Sequence, residues 1–274
     1  MPSVTADKKR LRGLVVLSTA ATMISYCLRL TPMCFHSQQF FARENLQRGH
    51  VRRAASFGEL YGTKRPEDHD ATVIWLHGLG DTGMGWADVG RGLRQALPTT
   101  RFLFPTAPTQ PVTCNMGMSM PSWFDVNSLQ PELFNLDPPG LDESAEYVRD
   151  LVRQQHEQGI KPERVILAGF SQGGAVVLKA VLHDYPEGRP GAVLMLSSFL
   201  ASKLPAACPS PCPDVLFFHG DADSMVPLAW SRQGCDMLES LGVNTAYRVY
   251  SGLAHSANDE ELRDVCEVIM KALA

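Results

Sequence analysis

The chain has 274 residues, of which 45% are hydrophobic and 20% are charged. This length and composition are ordinary for one sizeable globular domain with an extension, and they argue against a disordered chain. The 25 basic and 29 acidic residues give a formal net charge of −4, which offers no attraction for a phosphate backbone, so we expect no nucleic-acid partner.

An N-terminal extension is predicted over residues 1–53. Basic residues at 8–12 precede an apolar run at 13–28, which is the order found in secretory and signal-anchor segments. The run is shorter than the roughly 20 residues of a membrane-spanning helix. The arginine-rich stretch 43–53 favours an organellar presequence instead, and a disordered tail without a targeting role is a third interpretation.

A further hypothesis is that translation also starts at Met33. Cys34 would then follow the initiator methionine and become a candidate for S-acylation, with Phe35, Phe40 and Phe41 as weak membrane contacts. The expected location is cytoplasmic, with peripheral membrane association; secretory or organellar targeting by the extension is the alternative.

From Thr72 onward the sequence predicts parallel strands joined by crossover helices, because short β-branched or aromatic runs alternate with longer segments of helical period. The predicted strands are Thr72–Leu76, Arg101–Phe104, Arg164–Ala168, Ala192–Leu196, Val215–Phe218 and Thr245–Tyr250. The predicted helices are Trp86–Leu97, Asp142–Gln158, Gln172–Tyr185, Leu228–Leu241 and Asp259–Leu273.

The runs VILAG, AVLML and VLFF are apolar at consecutive positions, as expected for strands that helices cover on both faces. The predicted fold class is therefore α/β, with a mostly parallel central sheet in one domain over residues 54–274. At the start of the last helix, Asn258 followed by Glu261 resembles a capping box.

Cys208 and Cys212 lie close together in the segment CPSPCP. The seven cysteines are odd in number and scattered, which argues against a disulfide framework and suits a reducing compartment. Two neighbouring thiols can hold a metal or form a bridge, but no second Cys/His pair stands nearby to complete a metal site. We expect a plain proline-rich surface loop.

The segment Gly169-Phe170-Ser171-Gln172-Gly173 stands between a predicted strand and a predicted helix. This is the arrangement of the nucleophile elbow of α/β-hydrolases, in which a strained turn lifts the serine hydroxyl above the sheet and both flanking positions need glycine. Ser171 is therefore the expected nucleophile.

A serine hydroxyl needs a base within hydrogen-bond reach, and in this fold the chain order is serine, acid, histidine. His255 is the histidine that follows the candidate acids Asp221 and Asp223. Spacing alone leaves the choice between these aspartates open: one would orient His255 and the other would brace the turn. His219, just before them, is expected to pack or to cap the turn.

Hydrolysis through an acyl-serine develops an oxyanion twice, and the fold binds it with two backbone N–H groups. Gln172, the residue after the nucleophile, is the first expected donor. The second is Leu79, in the glycine-rich loop LHGLGDTG that follows the first predicted strand. Phosphate binding by this loop is the alternative, but the loop lacks GxGxxG spacing and the lysine of a P-loop.

Five motifs now stand in order along the chain, and with them the chain resembles the acyl-protein thioesterase family, small α/β-hydrolases similar to carboxylesterases and lysophospholipases. The motifs are LHGLGDTGMGW (Leu76–Trp86), MPSWFD (Met120–Asp125), GFSQGGA (Gly169–Ala175), HGDADSMVP (His219–Pro227) and GLAHS (Gly252–Ser256). The resemblance points to Asp223 as the triad acid and supports Leu79 and Gln172 as oxyanion donors.

The resemblance also implies an activity: hydrolysis of long-chain acyl thioesters on S-acylated, palmitoylated proteins, and of other acyl esters and lysophospholipids, without a metal or organic cofactor. The stretch from Val112 to Trp123 contains Met118, Met120 and Trp123, adaptable or large side chains that we expect to contact the acyl chain. Plain core packing is the alternative for this cluster.

The sequence thus predicts a serine hydrolase that depalmitoylates proteins. Lysophospholipase or general carboxylesterase activity is the alternative within the enzymes, because the same triad attacks oxygen esters. From another class, the chain could be a non-catalytic lipid-binding module, but the intact Ser171, Asp223 and His255 in the correct order argue against it.

Overall fold

A computed structural model describes residues 56–63, 65, 67–130, 136–183, 185 and 188–274, together with the backbone of residues 15–16 and 41–43. The strands in this part of the chain are β1 Val15–Val16, β2 Phe41–Arg43, β3 Leu60–Thr63, β4 Ala71–Leu76, β5 Thr100–Pro105, β6 Thr109–Val112, β7 Met118–Pro121, β8 Val165–Phe170, β9 Ala192–Leu196, β10 Asp214–Gly220, β11 Asn244–Tyr250 and β12 Ala257–Asn258. The α-helices are α1 Ala87–Leu93, α2 Leu141–Glu157, α3 Gln172–Leu182, α4 Leu228–Ser240 and α5 Asp259–Ala272.

The central sheet has the strand order β11-β10-β9-β8-β4-β5-β3-β2. The six strands from β11 to β5 are parallel to one another, and β3 and β2 join the β5 edge antiparallel. The prediction of an α/β fold with a mostly parallel sheet is therefore confirmed.

Strand β8 shows why the central strands are apolar at consecutive positions. Val165 and Leu167 belong to the hydrophobic cluster on one face of the sheet, whereas Ile166 and Ala168 belong to the cluster on the other face. Successive side chains of a strand point to opposite faces, so a strand covered on both sides buries every residue. Helices α2 and α3 contribute to the first cluster, and α1 and α5 contribute to the second.

The predicted elements differ from the structure mainly at their ends. The first predicted helix begins with a 3₁₀ turn over Gly83–Trp86 and ends at Leu93, and α3 ends at Leu182 because His183 adopts an extended backbone. The antiparallel strand β3 and the hairpin of β6 and β7 were not predicted. The predicted cap is confirmed in part: Asn258 Oδ1 accepts the backbone N–H of Glu261 at 2.9 Å, but neither carboxyl oxygen of Glu261 has a hydrogen-bond partner among the described residues, so the return bond of a capping box is not formed.

The expectation of a plain loop at Cys208 and Cys212 is wrong. The structure joins these two cysteines in a disulfide whose Cα atoms are 5.8 Å apart. The loop folds back on itself, which the spacing of the cysteines along the chain did not reveal.

Two short strands lie within the predicted N-terminal extension. Strand β1 pairs with β12, and β2 pairs with β3 at the edge of the central sheet. Phe41 lies in β2, whereas Met33, Cys34, Phe35 and Phe40 lie outside the described residues. The boundary between residues 53 and 54 stays a prediction. Among the helices of the described ranges, none has the length and apolar character needed to cross a membrane.

Candidate active site

Ser171 occupies the sharp turn between β8 and α3. Its backbone angles are φ 52° and ψ −120°, a left-handed conformation that costs a residue with a side chain about 1–3 kcal/mol. The turn is held by two hydrogen bonds: Ser171 N–H donates to Leu196 O at 2.8 Å, and Ser198 Oγ donates to Ser171 O at 2.7 Å. These contacts fix the hydroxyl at the carboxyl end of the sheet.

The glycines on either side of Ser171 are required by close packing. A methyl group at Gly169 would lie 2.3 Å from the carbonyl carbon of Gly173. A methyl group at Gly173 would lie 2.5 Å from Leu76 O and 2.6 Å from His77 O. Because the crowding atoms belong to the backbone, they cannot rotate away, and only glycine fits at either position.

His255 lies between Ser171 and Asp223. Its Nε2 is 3.0 Å from Ser171 Oγ, and its Nδ1 is 2.7 Å from Asp223 Oδ2. Since a carboxylate only accepts hydrogen bonds, Nδ1 carries the proton and Nε2 is free to accept the proton of the serine hydroxyl. This is the arrangement of a nucleophile, a general base and an orienting acid.

The buried carboxylate of Asp223 is held in its charged form. Its Oδ1 accepts the backbone N–H groups of Met225 and Val226, each at 2.9 Å. Burial raises the pKa of Asp223, but the hydrogen bond and charge of His255 and the N–H of Val226 outweigh burial and lower it below its ordinary value. The carboxylate therefore stays ionised beside His255 at neutral pH.

The other candidate acid, Asp221, is exposed and makes a different contact. Its Oδ1 accepts the backbone N–H of Gly252 at 2.6 Å, which joins the turn after β10 to the loop that carries His255. Asp221 thus braces the two loops against each other, while Asp223 contacts the imidazole.

The loop after β4 lies directly against Ser171. A methyl group at Gly78 would be 3.4 Å from Ser171 Cβ, and Gly80 N–H donates to Pro121 O at 2.8 Å. Among the described residues, the backbone N–H groups of Leu79 and Gln172 have no hydrogen-bond acceptor. Gln172 is the first residue of α3, where an N–H has no partner within the helix.

The side chain of Gln172 fastens the start of α3 to the segment after β7. Its Oε1 accepts Trp123 N–H at 2.9 Å, and its Nε2 donates to Ser122 Oγ at 3.0 Å and to Phe124 O at 2.7 Å. Sequence reasoning had considered only the backbone of Gln172. The side-chain role depends on packing between segments about 50 residues apart, which no local pattern indicates.

His77 is a second residue that sequence reasoning missed. It is completely buried, its Nδ1 donates to Gly78 O at 2.6 Å, and its Nε2 accepts Ala107 N–H at 3.0 Å. Burial lowers the pKa of His77 to about 4, so the ring is neutral at physiological pH. It braces the glycine-rich loop and does not reach Ser171 as a base.

The three predicted acyl contacts differ in their surroundings. Met118 is 56% exposed on β7, and Met120 is partly buried. Met120 lies next to the glycine-rich loop, since a methyl group added at Gly80 would be 3.7 Å from its Sδ. Trp123 is completely buried, and its indole Nε1 donates to His77 O at 2.9 Å. The two methionines lie on the hairpin beside the site, whereas Trp123 packs in the core beneath it.

Comparison with known proteins agrees with this geometry. Residues 63–273 match the model of the phospholipase/carboxylesterase family. The chain is 40% identical over 217 residues to acyl-protein thioesterase 1 of Gibberella zeae, a match that covers 75% of this chain and 92% of that protein. It is 35% identical over 221 residues to acyl-protein thioesterase 1 of Saccharomyces cerevisiae, covering 74% of this chain and 93% of that protein.

Solved structures of plant proteins are similar to this chain in both fold and sequence. Arabidopsis thaliana SOBER1 superposes with a TM-score of 0.69 at 32% identity, over 74% of this chain and 99% of that one. Zea mays acyl-protein thioesterase 2 superposes with a TM-score of 0.67 at 29% identity, over 79% of this chain and 100% of that one. The chain therefore belongs to the phospholipase/carboxylesterase family of α/β-hydrolases and, within it, to the acyl-protein thioesterases, which are serine hydrolases.

Proposed function

We propose that the protein hydrolyses long-chain acyl thioesters and so removes palmitoyl groups from the cysteines of S-acylated proteins. The observation that carries the proposal is the continuous set of contacts from Ser171 Oγ through His255 to Asp223, at 3.0 and 2.7 Å. The names of the similar proteins support the choice of acyl-protein substrates.

In the proposed reaction, Ser171 Oγ attacks the thioester carbonyl carbon while His255 Nε2 takes the hydroxyl proton. The carbon–sulfur bond then breaks, and the imidazolium gives its proton to the departing cysteine thiolate. Water then attacks the acyl-serine while His255 takes its proton; the bond between the acyl carbon and Ser171 Oγ breaks, the imidazolium returns the proton to Oγ, and the fatty acid leaves. Asp223 keeps His255 in the required tautomer and stabilises the imidazolium in both steps.

The proposed oxyanion site consists of the backbone N–H groups of Leu79 and Gln172. Support comes from their lack of a protein acceptor among the described residues and from the contact of Gly78 with Ser171. Such donors are fixed before the reaction, and removal of one typically lowers kcat by about 10²–10³-fold. They serve both tetrahedral steps.

The acyl chain is proposed to lie along the β6–β7 hairpin, against Met118 and Met120. Unbranched thioether side chains adapt to a flexible alkyl chain better than branched ones. We expected Trp123 to contact the substrate as well, but it is fully buried. We therefore propose that Trp123 supports the β6–β7 hairpin from the core.

The decisive experiment compares Ser171→Ala with Ser240→Ala, an exposed serine of α4, on a palmitoylated peptide thioester. We expect Ser171→Ala to lose several orders of magnitude in kcat/KM and to lose labelling by a fluorophosphonate, while Ser240→Ala keeps both. Full thioester hydrolysis by Ser171→Ala would reject the mechanism. Lack of labelling and of hydrolysis in the unaltered chain would favour a non-catalytic lipid-binding module.

Lysophospholipase or carboxylesterase activity is the second candidate, favoured by the description of the matched family. The same triad attacks oxygen esters, so the two substrates must be compared directly. Competing rates on a palmitoyl thioester peptide and on a lysophospholipid separate the candidates, and a higher kcat/KM for the lysophospholipid would replace our proposal.

We also propose a cytoplasmic location with peripheral membrane contact. Cys114, Cys235 and Cys266 are free thiols, as is usual in a reducing compartment, although Cys208 and Cys212 are bridged. Fractionation of cells that express the full chain or residues 54–274 tests this proposal. Recovery of the full chain in secretory or organellar fractions would contradict it.

A further inference from the structure

His219 lies beside the triad carboxylate but has no role in the reaction described above. It is the penultimate residue of β10 and is completely buried. Its Nε2 is 2.8 Å from Val226 O and 3.4 Å from Asp223 Oδ2, the oxygen that also contacts His255. Two imidazoles, those of His219 and His255, therefore lie close to the same carboxylate oxygen.

The proton of His219 can be assigned from its contacts. A carbonyl oxygen accepts but never donates, so Nε2 carries the hydrogen that points toward Val226 O, with Asp223 Oδ2 close to the same hydrogen. Burial lowers the pKa of His219, against opposing contributions from Val226 and Asp223, so the ring is neutral. A neutral ring can lie beside the carboxylate without repelling the imidazolium that forms at His255.

His219 also holds the turn that supplies the other hydrogen bonds to Asp223. Val226 donates its N–H to Asp223 Oδ1 and accepts the His219 N–H at its carbonyl. The buried ring of His219 thus holds the turn at Val226 and also lies close to the carboxylate of Asp223, where the turn begins. A small rotation of this turn would move Oδ2 away from His255.

We propose that His219 is a positioning residue that fixes the Asp223 carboxylate for hydrogen bonding to His255. The inference rests on the proposed function, since it assumes that the triad performs the reaction. It assigns to His219 a contribution to kcat that acts only through Asp223 and leaves substrate binding unchanged.

The test compares His219→Phe, which keeps a ring without a donor, with His219→Gln, whose amide places an N–H at about the position of Nε2. We expect His219→Phe to lower kcat on a palmitoyl thioester about 10- to 100-fold with KM nearly unchanged, as for other small displacements of catalytic groups. His219→Gln should stay within about threefold of the unaltered chain, since it restores the donor.

A double-mutant cycle with Asp223→Ala distinguishes positioning from general support of the fold. If His219 acts through the carboxylate, adding His219→Phe to Asp223→Ala lowers kcat by no more than about twofold. The residual rate of Asp223→Ala should lie well above the uncatalysed rate, so this small change can be measured. The cycle is repeated with His219→Leu, and thermal unfolding is recorded for each variant, so that poor folding of one substitution does not decide the result.

Equal losses of kcat for His219→Phe and His219→Gln, or an undiminished loss in the Asp223→Ala background, would overturn the positioning role. Those results leave the proposed function standing, because Ser171→Ala would still be inactive. Retained activity in Ser171→Ala would instead reject the proposed function itself.

Discussion

The side-chain Nε2 of Gln172 donates a hydrogen bond to the carbonyl of Phe124 over 2.7 Å, which joins the residue after the proposed nucleophile to a segment far away in sequence. The same amide accepts the N–H of Trp123 and donates to Ser122 Oγ. All of these groups are buried. The orientation of the proposed oxyanion donor therefore depends on a buried side chain that is hydrogen-bonded to the protein interior.

Gln172→Met tests this dependence with a side chain of similar length. The N–H of Trp123 would stay buried without an acceptor, which costs about 1–3 kcal/mol, and the carbonyl of Phe124 would keep Ser122 Oγ as a donor but lose a hydrogen bond worth about 1 kcal/mol. We expect the free energy of unfolding to fall by about 2–4 kcal/mol in urea titrations, and kcat to fall about tenfold or more. Gln158→Met, at an exposed position after α2, is the control and should change stability by less than about 0.5 kcal/mol. Equal behaviour of the two variants would contradict the interpretation.

Gly173→Ala should disturb the start of α3 and the loop after β4 together. The new methyl group would meet the carbonyl oxygens of Leu76 and His77 at 2.5 and 2.6 Å, so the backbone must shift. We expect a loss of at least about 1–3 kcal/mol in stability, typical of overpacking, together with a fall in kcat/KM. At Gly92, in α1, a methyl group would meet nothing within 4 Å, so Gly92→Ala should gain up to about 1 kcal/mol at unchanged activity. A thermal unfolding midpoint for Gly173→Ala at or above that of the unaltered chain would refute this prediction.

The two aspartates after β10 should respond very differently to the same substitution. In Asp223→Asn the amide cannot stabilise the imidazolium and can favour the wrong tautomer of His255, so we expect kcat to fall about 10³–10⁴-fold. In Asp221→Asn the side-chain oxygen still accepts the N–H of Gly252, so kcat should stay within about tenfold of the unaltered chain. Steady-state rates on one thioester substrate suffice, and a reversed order would exchange the roles of the two residues.

The completely buried Glu261 should make the stability depend on pH in a way opposite to an ordinary carboxylate. Burial raises the pKa of Glu261 to about 8; the Asn258 backbone opposes this rise, and the charges of Asp223 and Asp264 add to it. Between pH 4.5 and 8 the folded state therefore holds a proton that the unfolded state has released. Stability must fall as the pH rises through this window.

Glu261→Gln removes this titration. The variant should match the unaltered chain near pH 4.5 and exceed its unfolding free energy at pH 7, by at most about 3 kcal/mol. Urea titrations at pH 5, 6, 7 and 8 measure the divergence. Glu260→Gln, in the same helical turn but exposed, is the matched control, and at pH 7 its unfolding free energy should lie within about 1 kcal/mol of the unaltered chain. A pH-independent difference between Glu261→Gln and the unaltered chain would show that the buried carboxyl does not titrate in this range.

The central sheet could be predicted because burial on both faces requires apolar residues at every position, as in β8 and β9. The hairpin of β6 and β7 could not, since TQPV and MSMP contain prolines and are largely exposed, so no alternation of apolar and polar residues marks them. The bridge between Cys208 and Cys212 also escaped prediction, because spacing along the chain does not say whether a loop closes.

The residues of the candidate site also fall into those that the sequence predicted and those that it did not. Ser171 and His255 could be found from chain order and flanking glycines, because the fold fixes which element carries each of them. The contacts of His77 and of the Gln172 side chain could not, because their partners are 30 and 48–50 residues away along the chain. Local patterns report local geometry, and long-range polar contacts appear only once the segments are packed.

Helix α3 is buried at every position from Gln172 to Leu182. No face of it is open to water, so any substitution there alters the packed interior and the setting of Ser171 at once. Changes that redirect this protein toward other acyl groups should therefore be sought in the surrounding loops and the exposed hairpin, where a new side chain can be accommodated without rebuilding the interior.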